Sequence, residues 1–359
     1  MIKQKKIAVL CNYELLPERV GGMDYFFWLF DTECKEKNIT VNWFFPNQSS
    51  HGEYSKLTIF DSNYQSVENY FLDFCKGNNK EYSYIITHFV ELCTPFFYKI
   101  KKLSTAKIIA IDHNPRPLNG YAMKKKIEKK IKGILFSRYI DLFIGVSNYT
   151  VNEIIKDFGT HLKKKTDMIY NGVVIGDIRV RTQRNTLRPT FLVASHLRES
   201  KGIQDLITAV HLLSPTIKNE IKIDLYGNGP YKNELVDSIN RLNLENCFHF
   251  MGSKSNLKIL YSNYDYMLQP THMECFSLSI LESLAANVPV ITTNVGGNEE
   301  VINNGDNGFI FEAKDTKALK EILENIFLGN LKINTNTRIL IANYFSLEKM
   351  VDEHIQLLS

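Results

Sequence analysis

Two kinds of pattern alternate along the chain. Short apolar runs, KIAVL (6–10), VNWFF (41–45), YIITH (84–88), KIIAI (107–111) and LFIGVS (142–147), read as buried strands, with stretches between them long enough for helices. After a polar, Arg-rich segment without strong periodicity (180–190), the pattern restarts with FLVAS (191–195), KIDLYG (222–227), YDYMLQ (264–269), VPVITTN (288–294) and GFIFE (308–312). Strand-like and helix-like segments in alternation predict βαβ units with parallel sheets. Two doubly wound α/β domains follow, 1–180 and 181–342, and the ligands of such sheets bind outside the carboxyl ends of the strands. The cleft between two such domains is the first place to look for chemistry.

Composition narrows the class without naming it. The length of 359 residues suits two domains, and 44% apolar with 23% charged residues is ordinary for a globular protein. The net charge of +4 gives no general basic excess for nucleic acid, and none is expected as a partner. The positive charge is local: residues 101–200 hold 20 Lys+Arg against 8 Asp+Glu, net +12, and the rest of the chain is net −8. Six scattered cysteines form no C-x-x-C pair, which predicts reduced thiols and a cytoplasmic location. The four-residue apolar run before Cys11 is too short for a signal peptide, and no stretch reaches the ~18 apolar residues of a spanning helix.

Three loops could handle phosphate. Gly21-Gly22 precedes a helical pattern beginning near Met23, where glycines let backbone N–H groups approach an anion. The plain alternative is a tight strand-to-helix turn. Gly227-Asn228-Gly229-Pro230 comes nearest to a dinucleotide fingerprint, but Pro230 and the missing third glycine disfavour NAD. FLVASHLRESKG places His196, Arg198 and Lys201 just before a helix whose apolar positions are Ile203, Leu206, Ile207 and Val210. Positive charge and free amides meet there, as a diphosphate requires.

The segment from Glu274 reads ECFSLSILESLAANVPVITTNVGGNEEVI. With a helix starting near Ser277 or Leu278, Glu282 lies in its first turns and Glu274 in the preceding loop, so both carboxylates can face one cleft. Here the chain resembles the retaining GT-B glycosyltransferases of family 4, whose signature is a pair of glutamates separated by seven residues, then a small-residue helix and a G-P-V-I strand. Further matches come in the family's order: Gly21-Gly22, His113 after a strand, IGVSNYT near Ser147, IYNGV (169–173), the SKG loop, YGNGP, FMG (250–252) and VGGNEEV (295–301).

The resemblance implies two Rossmann-like domains facing a central cleft, with a nucleotide diphosphate sugar bound by the second and an acceptor by the first. It implies Lys201 on the diphosphate, Glu282 on the ribose, and Glu274 on the sugar hydroxyls near the reacting carbon. It also places the backbone amides of Phe276, Ser277 and Leu278 on sugar or phosphate, His113 near the reacting sugar, and Gly22 beside the phosphates; the turn at Gly227 is expected to face the nucleotide. No metal or other cofactor is expected, because Lys201, its neighbours and a helix N-terminus can supply the positive field. Three departures stand out: His196 replaces the usual Arg, with Arg198 two residues on; Ser277 and Asn287 replace glycines; and Glu299 replaces a proline.

The expected activity is retaining, metal-independent transfer of a hexose or N-acetylhexosamine, from a UDP-sugar among nucleotide donors, to a glycan or lipid-linked acceptor in capsule or exopolysaccharide synthesis. The alternatives are a catalytically silent GT-B partner subunit and a sugar-nucleotide epimerase of the same fold. YAMKKKIEKKIKGILFSR (121–138) reads as a basic amphipathic helix with Met123, Ile127, Ile131 and Leu135 as its stripe. The stripe is expected to pack on the core, while the six lysines draw the domain to an anionic membrane at its inner face. The terminal segment 343–359 is expected to pack back on the first domain.

Overall fold

The computed structural model describes residues 5–77, 81–183 and 188–359. The chain divides into two compact units, the first comprising residues 1–171 and 347–359 and the second 172–346. Residues 172–180, given to the first domain by the sequence pattern, thus lie in the second.

The first unit contains strands β1 (Lys5–Cys11), β2 (Ile39–Phe45), β3 (Ile59–Asp61), β4 (Tyr84–His88), β5 (Lys107–Asp112), β6 (Leu142–Gly145) and β7 (Thr166–Met168). Helices α1 (Gly22–Glu36), α2 (Val67–Gly77), α3 (Pro95–Leu103), α4 (Met123–Phe136) and α5 (Asn148–Phe158) connect them. The strands are all parallel, in the order β3-β2-β1-β4-β5-β6-β7. A parallel sheet covered on both faces needs strands that are apolar throughout, and Ile7 to Cys11 are fully buried.

The second unit repeats the plan with β8 (Phe191–Ala194), β9 (Ile223–Tyr226), β10 (Phe248–Gly252), β11 (Tyr266–Gln269), β12 (Val290–Thr293) and β13 (Gly308–Phe311). Their order is β10-β9-β8-β11-β12-β13. Its helices are α6 (Ile203–His211), α7 (Pro215–Glu220), α8 (Lys232–Arg241), α9 (Leu257–Leu260), α10 (Leu278–Ala285), α11 (Thr316–Phe327) and α12 (Arg338–Tyr344). The last helix, α13 (Leu347–Gln356), belongs to the first unit and lies against α1.

In each sheet the strand order reverses at one point, between β1 and β4 and between β8 and β11. Loops leaving the carboxyl ends of such a strand pair diverge to opposite faces and open a crevice. The loops after β8 and β11 are the SKG loop and the segment leading to Glu274.

The orientation of α4 corrects one expectation. Its apolar stripe does not pack on the core: Met123 is 69% exposed, Ile127 54%, Ile131 51% and Leu135 47%, and the neighbouring Ile134 is 70% exposed. The cause is a close crossing on the other side of the helix. A Cβ on Gly133 would lie 2.0 Å from the Phe158 carbonyl oxygen, so α4 and α5 meet backbone to backbone there. One turn earlier, Lys129 is buried and its Nζ reaches Asp157 Oδ2 at 3.1 Å. At about 100° per residue, fixing Lys129 and Gly133 inward turns Met123, Ile127 and Ile134 to the far side. Each such side chain, about half to two-thirds exposed, forgoes a corresponding part of the roughly 1.5–3 kcal/mol that full burial contributes.

Candidate active site

In the second unit the loops after β8 and β11 meet through their functional side chains. Lys201 Nζ lies 2.9 Å from Glu274 Oε2, with both side chains mostly buried. The other Glu274 oxygen accepts from the Cys275 backbone N–H at 3.1 Å. Three glycines allow this approach. Gly202, the glycine that ends the SKG loop and precedes α6, has φ +68°, and a Cβ there would lie 1.8 Å from the Pro270 carbonyl oxygen. A Cβ on Gly296 would lie 2.2 Å from the Glu274 carbonyl oxygen, and one on Gly227 would lie 2.0 Å from that of Ser195. The chain crosses itself at these points with no room for a side chain.

Other contacts fix the same loops. The His272 backbone N–H donates to the Ser200 carbonyl at 2.8 Å, and its ring Nε2 lies 2.5 Å from Asp205 Oδ2 on α6. His272 thus ties the loop after β11 to the SKG loop. Nothing in the sequence singles it out, since a lone histidine two residues before a motif glutamate has no pattern of its own. Arg198 Nε donates to His196 Nδ1 at 2.8 Å, so the histidine at the usual arginine position has an arginine beside it.

Ser277 caps α10: its Oγ accepts from the Ile280 N–H at 3.4 Å and from Gln269 Nε2 at 2.7 Å. The free amides of Leu278 and its neighbours therefore sit at the start of a helix, next to Phe276 and Glu274. Glu282 is on α10, and its Oε2 accepts from Tyr261 Oη at 3.2 Å. Burial raises its carboxyl above the usual range, opposed by the positive charge of Lys258 and by that hydrogen bond. Asn287 follows α10 at φ +61°, the left-handed geometry a glycine would take, and its Nδ2 donates to the Arg181 carbonyl at 3.0 Å.

Gly22 and His113 belong to the first unit. Gly22 begins α1, and the Gly21 N–H donates to Asp24 Oδ2 at 2.9 Å. Asp24 is buried and also accepts from Tyr13 Oη (3.0 Å) and Tyr54 Oη (2.5 Å), so three donors hold the carboxylate that anchors the Gly-Gly turn. A Cβ on Gly21 would meet nothing within 4 Å, which leaves its backbone open to approach.

His113 follows β5, and its Nε2 lies 3.0 Å from Nδ1 of His88 at the end of β4. Phe89 stacks on His113 with ring centroids 4.3 Å apart. His354 of α13 stacks on His88 at 6.2 Å, and Phe26 of α1 lies against both. Burial pushes His113 down to about 3, with His354 adding to the shift and Asp112 opposing it. Burial likewise lowers His354 to about 4 and His88 well below its ordinary value. All three rings are neutral at physiological pH. His354 Nδ1 donates to the Met350 carbonyl at 2.7 Å, leaving Nε2 as a buried lone pair with no hydrogen-bond partner. His88 and His354 are buried neighbours of His113 that the sequence patterns pass over, because one ends a strand and the other lies 241 residues from His113 in the chain.

The second unit thus brings Lys201 to Glu274 beside closely approaching backbone and the start of α10, which also carries Glu282, an arrangement able to hold a phosphorylated ligand. Residues 174–342 match the family model for glycosyl transferases group 1. This domain coincides with the crevice just described. Over 127 residues, 35% of its length, the chain is 33% identical to the N-acetyl-alpha-D-glucosaminyl L-malate synthase of Bacillus anthracis, covering 33% of that protein. It is 29% identical over 167 residues to the capsular polysaccharide biosynthesis glycosyltransferase CapM of Staphylococcus aureus, covering 43% of this chain and 42% of CapM. The chain spans about a third to a half of the length of these curated relatives. Among solved structures, Anabaena Alr3699/HepE in complex with UDP is similar across 98% of this chain and 99% of its own, with a TM-score of 0.75 at 18% identity. That likeness shows the fold, which is GT-B: two Rossmann-like domains with parallel sheets.

Proposed function

We propose that the protein transfers a hexose or N-acetylhexosamine from a UDP-sugar to a glycan or lipid-linked acceptor in cell-surface polysaccharide synthesis, with retention of anomeric configuration. The observation that carries this reading is the Lys201–Glu274 pair at the strand-order reversal of the group 1 domain. Transfer from a nucleotide diphosphate sugar needs stabilisation of a departing diphosphate and of a sugar with oxocarbenium character. In the proposed complex the Lys201 ammonium exchanges its carboxylate partner for the diphosphate. Glu274, released from it, turns to the sugar hydroxyls. Arg198 and His196, together with the amides at Phe276, Ser277 and Leu278, add positive field at the phosphates, so the reaction as proposed uses no metal. Glu282 accepts from the ribose hydroxyls, and the turn at Gly227 approaches the nucleotide. By the family pattern, His113, a neutral ring, is assigned to the reacting sugar and the Gly22 turn to the phosphates.

UDP is the donor class favoured here because the Anabaena neighbour was solved with it, and CapM's capsular role supports a surface polysaccharide as product. The exposed stripe of α4 and its lysines support a protein working at the inner face of the cell membrane. Calorimetry across a panel of nucleotide diphosphate sugars, followed by nucleotide release for the parent, Lys201→Ala and Glu274→Ala, tests the assignment. One donor binds, and release falls by about two to three orders of magnitude in both variants. Parental rates in both variants remove the site, and failure to bind any nucleotide sugar removes the reading and favours a silent partner subunit.

A further inference from the structure

The first unit holds two cavities that share a wall. One, of about 480 Å³, lies at the carboxyl ends of β1, β4 and β5, lined among others by Asn12, Glu68, Phe89, Glu91 and Asn114. The other, of about 800 Å³, lies along α4, α5 and the loop before α4, with Leu118, Lys126, Lys130, Ile155 and Lys163 in its lining. Tyr121 lines both. Both volumes are those of small-molecule sites.

Their charges differ. In the smaller cavity Glu68, Glu91 and Asp112 balance Arg116, Lys125 and Lys129. In the larger one Lys156 is paired with Glu153, and Asp157 is already taken by Arg116 and Lys129. Lys126, Lys130 and Lys163 have no acidic partner among the described residues, which leaves a surplus of three positive charges. Lys126 and Lys130 lie one turn apart on α4, and the next residue after each, Ile127 and Ile131, belongs to the exposed apolar stripe. Ammonium groups without counter-charge on a partly apolar wall, flanked by exposed aliphatic side chains, suit a ligand with a phosphate head and an apolar chain.

We infer that the larger cavity binds the phosphate of an amphiphile whose chain runs along the exposed stripe of α4. This site lies in the first unit and is independent of the donor residues. Two sources carry this chemistry: the lipid phosphate of a glycan acceptor and the headgroup of an anionic bilayer lipid. For the first source, which rests on the sugar-transfer reading, the neutral cavity beyond Tyr121 receives the saccharide joined to that phosphate.

The test is calorimetry on the full chain with dodecyl phosphate, dodecyl glucoside and inorganic phosphate, each below its micelle threshold. Dodecyl phosphate binds at least about tenfold tighter than either of the others. The triple variant Lys126→Ala/Lys130→Ala/Lys163→Ala loses that preference. Lys76→Ala/Lys99→Ala/Lys164→Ala, with the same change in net charge on exposed lysines outside the cavity, keeps it. Farnesyl diphospho-N-acetylglucosamine and dihexanoyl phosphatidylglycerol then separate the sources, the tighter binder naming the one that applies. Equal affinity for dodecyl phosphate and dodecyl glucoside, or equal loss in the two triple variants, overturns the inference. UDP is titrated alongside: a parent that binds dodecyl phosphate but not UDP contradicts the sugar-transfer reading and leaves this site standing.

Discussion

The two units build the same kind of sheet and treat charge at its carboxyl end in opposite ways. In the second, Lys201 and Glu274 form a salt bridge at the strand-order reversal, in a bracket of loops drawn together at Gly202, Gly227 and Gly296. In the first, the corresponding strand end carries His88, packed with His113, His354 and Phe26 and kept neutral by burial. Charge suits a surface that must hold an anionic leaving group. The ring stack carries no charge to its strand end, and of its three imidazoles only His113 is partly exposed. The shared topology supplies the crevice, and the side chains at the strand ends decide what it accepts.

The sharpest way to break this contrast is on the charged side. Lys201→Ala lowers turnover by about two to three orders of magnitude, and Lys201→Arg restores only part of it, since the fork of a guanidinium does not reproduce a point charge held 2.9 Å from Glu274. Steady-state rates with saturating donor check both variants.

Next in size is a backbone effect. Gly202→Ala must carry a side chain at φ +68° against the Pro270 carbonyl, so the SKG loop moves. The left-handed geometry alone costs about 1–2 kcal/mol. UDP affinity falls with calorimetric unfolding shifted to lower temperature, and unchanged UDP affinity would detach the loop from donor binding.

On the neutral side the prediction concerns pH. His88, His113 and His354 have folded values below the ~6.5 of an unfolded histidine, so the unfolded chain binds more protons between those values. Stability is complete above pH 6.5 and declines as the pH falls, by on the order of 1 kcal/mol per pH unit for each of the buried rings of His88 and His354. Both tryptophans, Trp28 and Trp43, are in the first unit, so their fluorescence reports its unfolding alone. Urea midpoints measured from pH 7 to 4.5 fall, and His354→Phe makes the fall shallower. Midpoints independent of pH would mean that the rings are not buried neutral.

The smallest effect on folding, and an informative one for partners, comes from α4. Ile127→Ser/Ile131→Ser/Ile134→Ser changes stability by no more than about 0.5 kcal/mol per site, because those side chains are exposed. Co-sedimentation with phosphatidylglycerol vesicles at low salt is lost in the same variant. Equal sedimentation of variant and parent would assign the stripe another role.

The sequence makes the central strands legible, along with the apolar edge strand β13, and hides the other three edges. β3, β7 and β10 have no counterpart among the predicted strands, and each is the outermost strand of its sheet. An edge strand is solvated along one side, so IFD, TDM and FHFMG lack the continuous apolar run that marks a strand buried on both faces. Glu274, Glu282 and Lys201 are legible because their chemistry is tied to local spacing and to a helix start. The rotation of α4 is not, because a stripe every fourth residue says that a helix is amphipathic and leaves open which face meets the protein. That choice was made by Gly133, whose missing side chain lets α5 come close, and by the buried Lys129–Asp157 pair. The imidazole stack joins α13 to β4, a contact no local pattern encodes.

Hydrogen exchange with and without saturating UDP tests the division of labour most directly. The loops and helix starts of the second unit that surround Lys201 and Glu274, residues 196–203 and 274–282, should gain protection when UDP is bound. Saturating UDP that leaves both segments exchanging as in the free protein would contradict the assignment of the donor to the second unit.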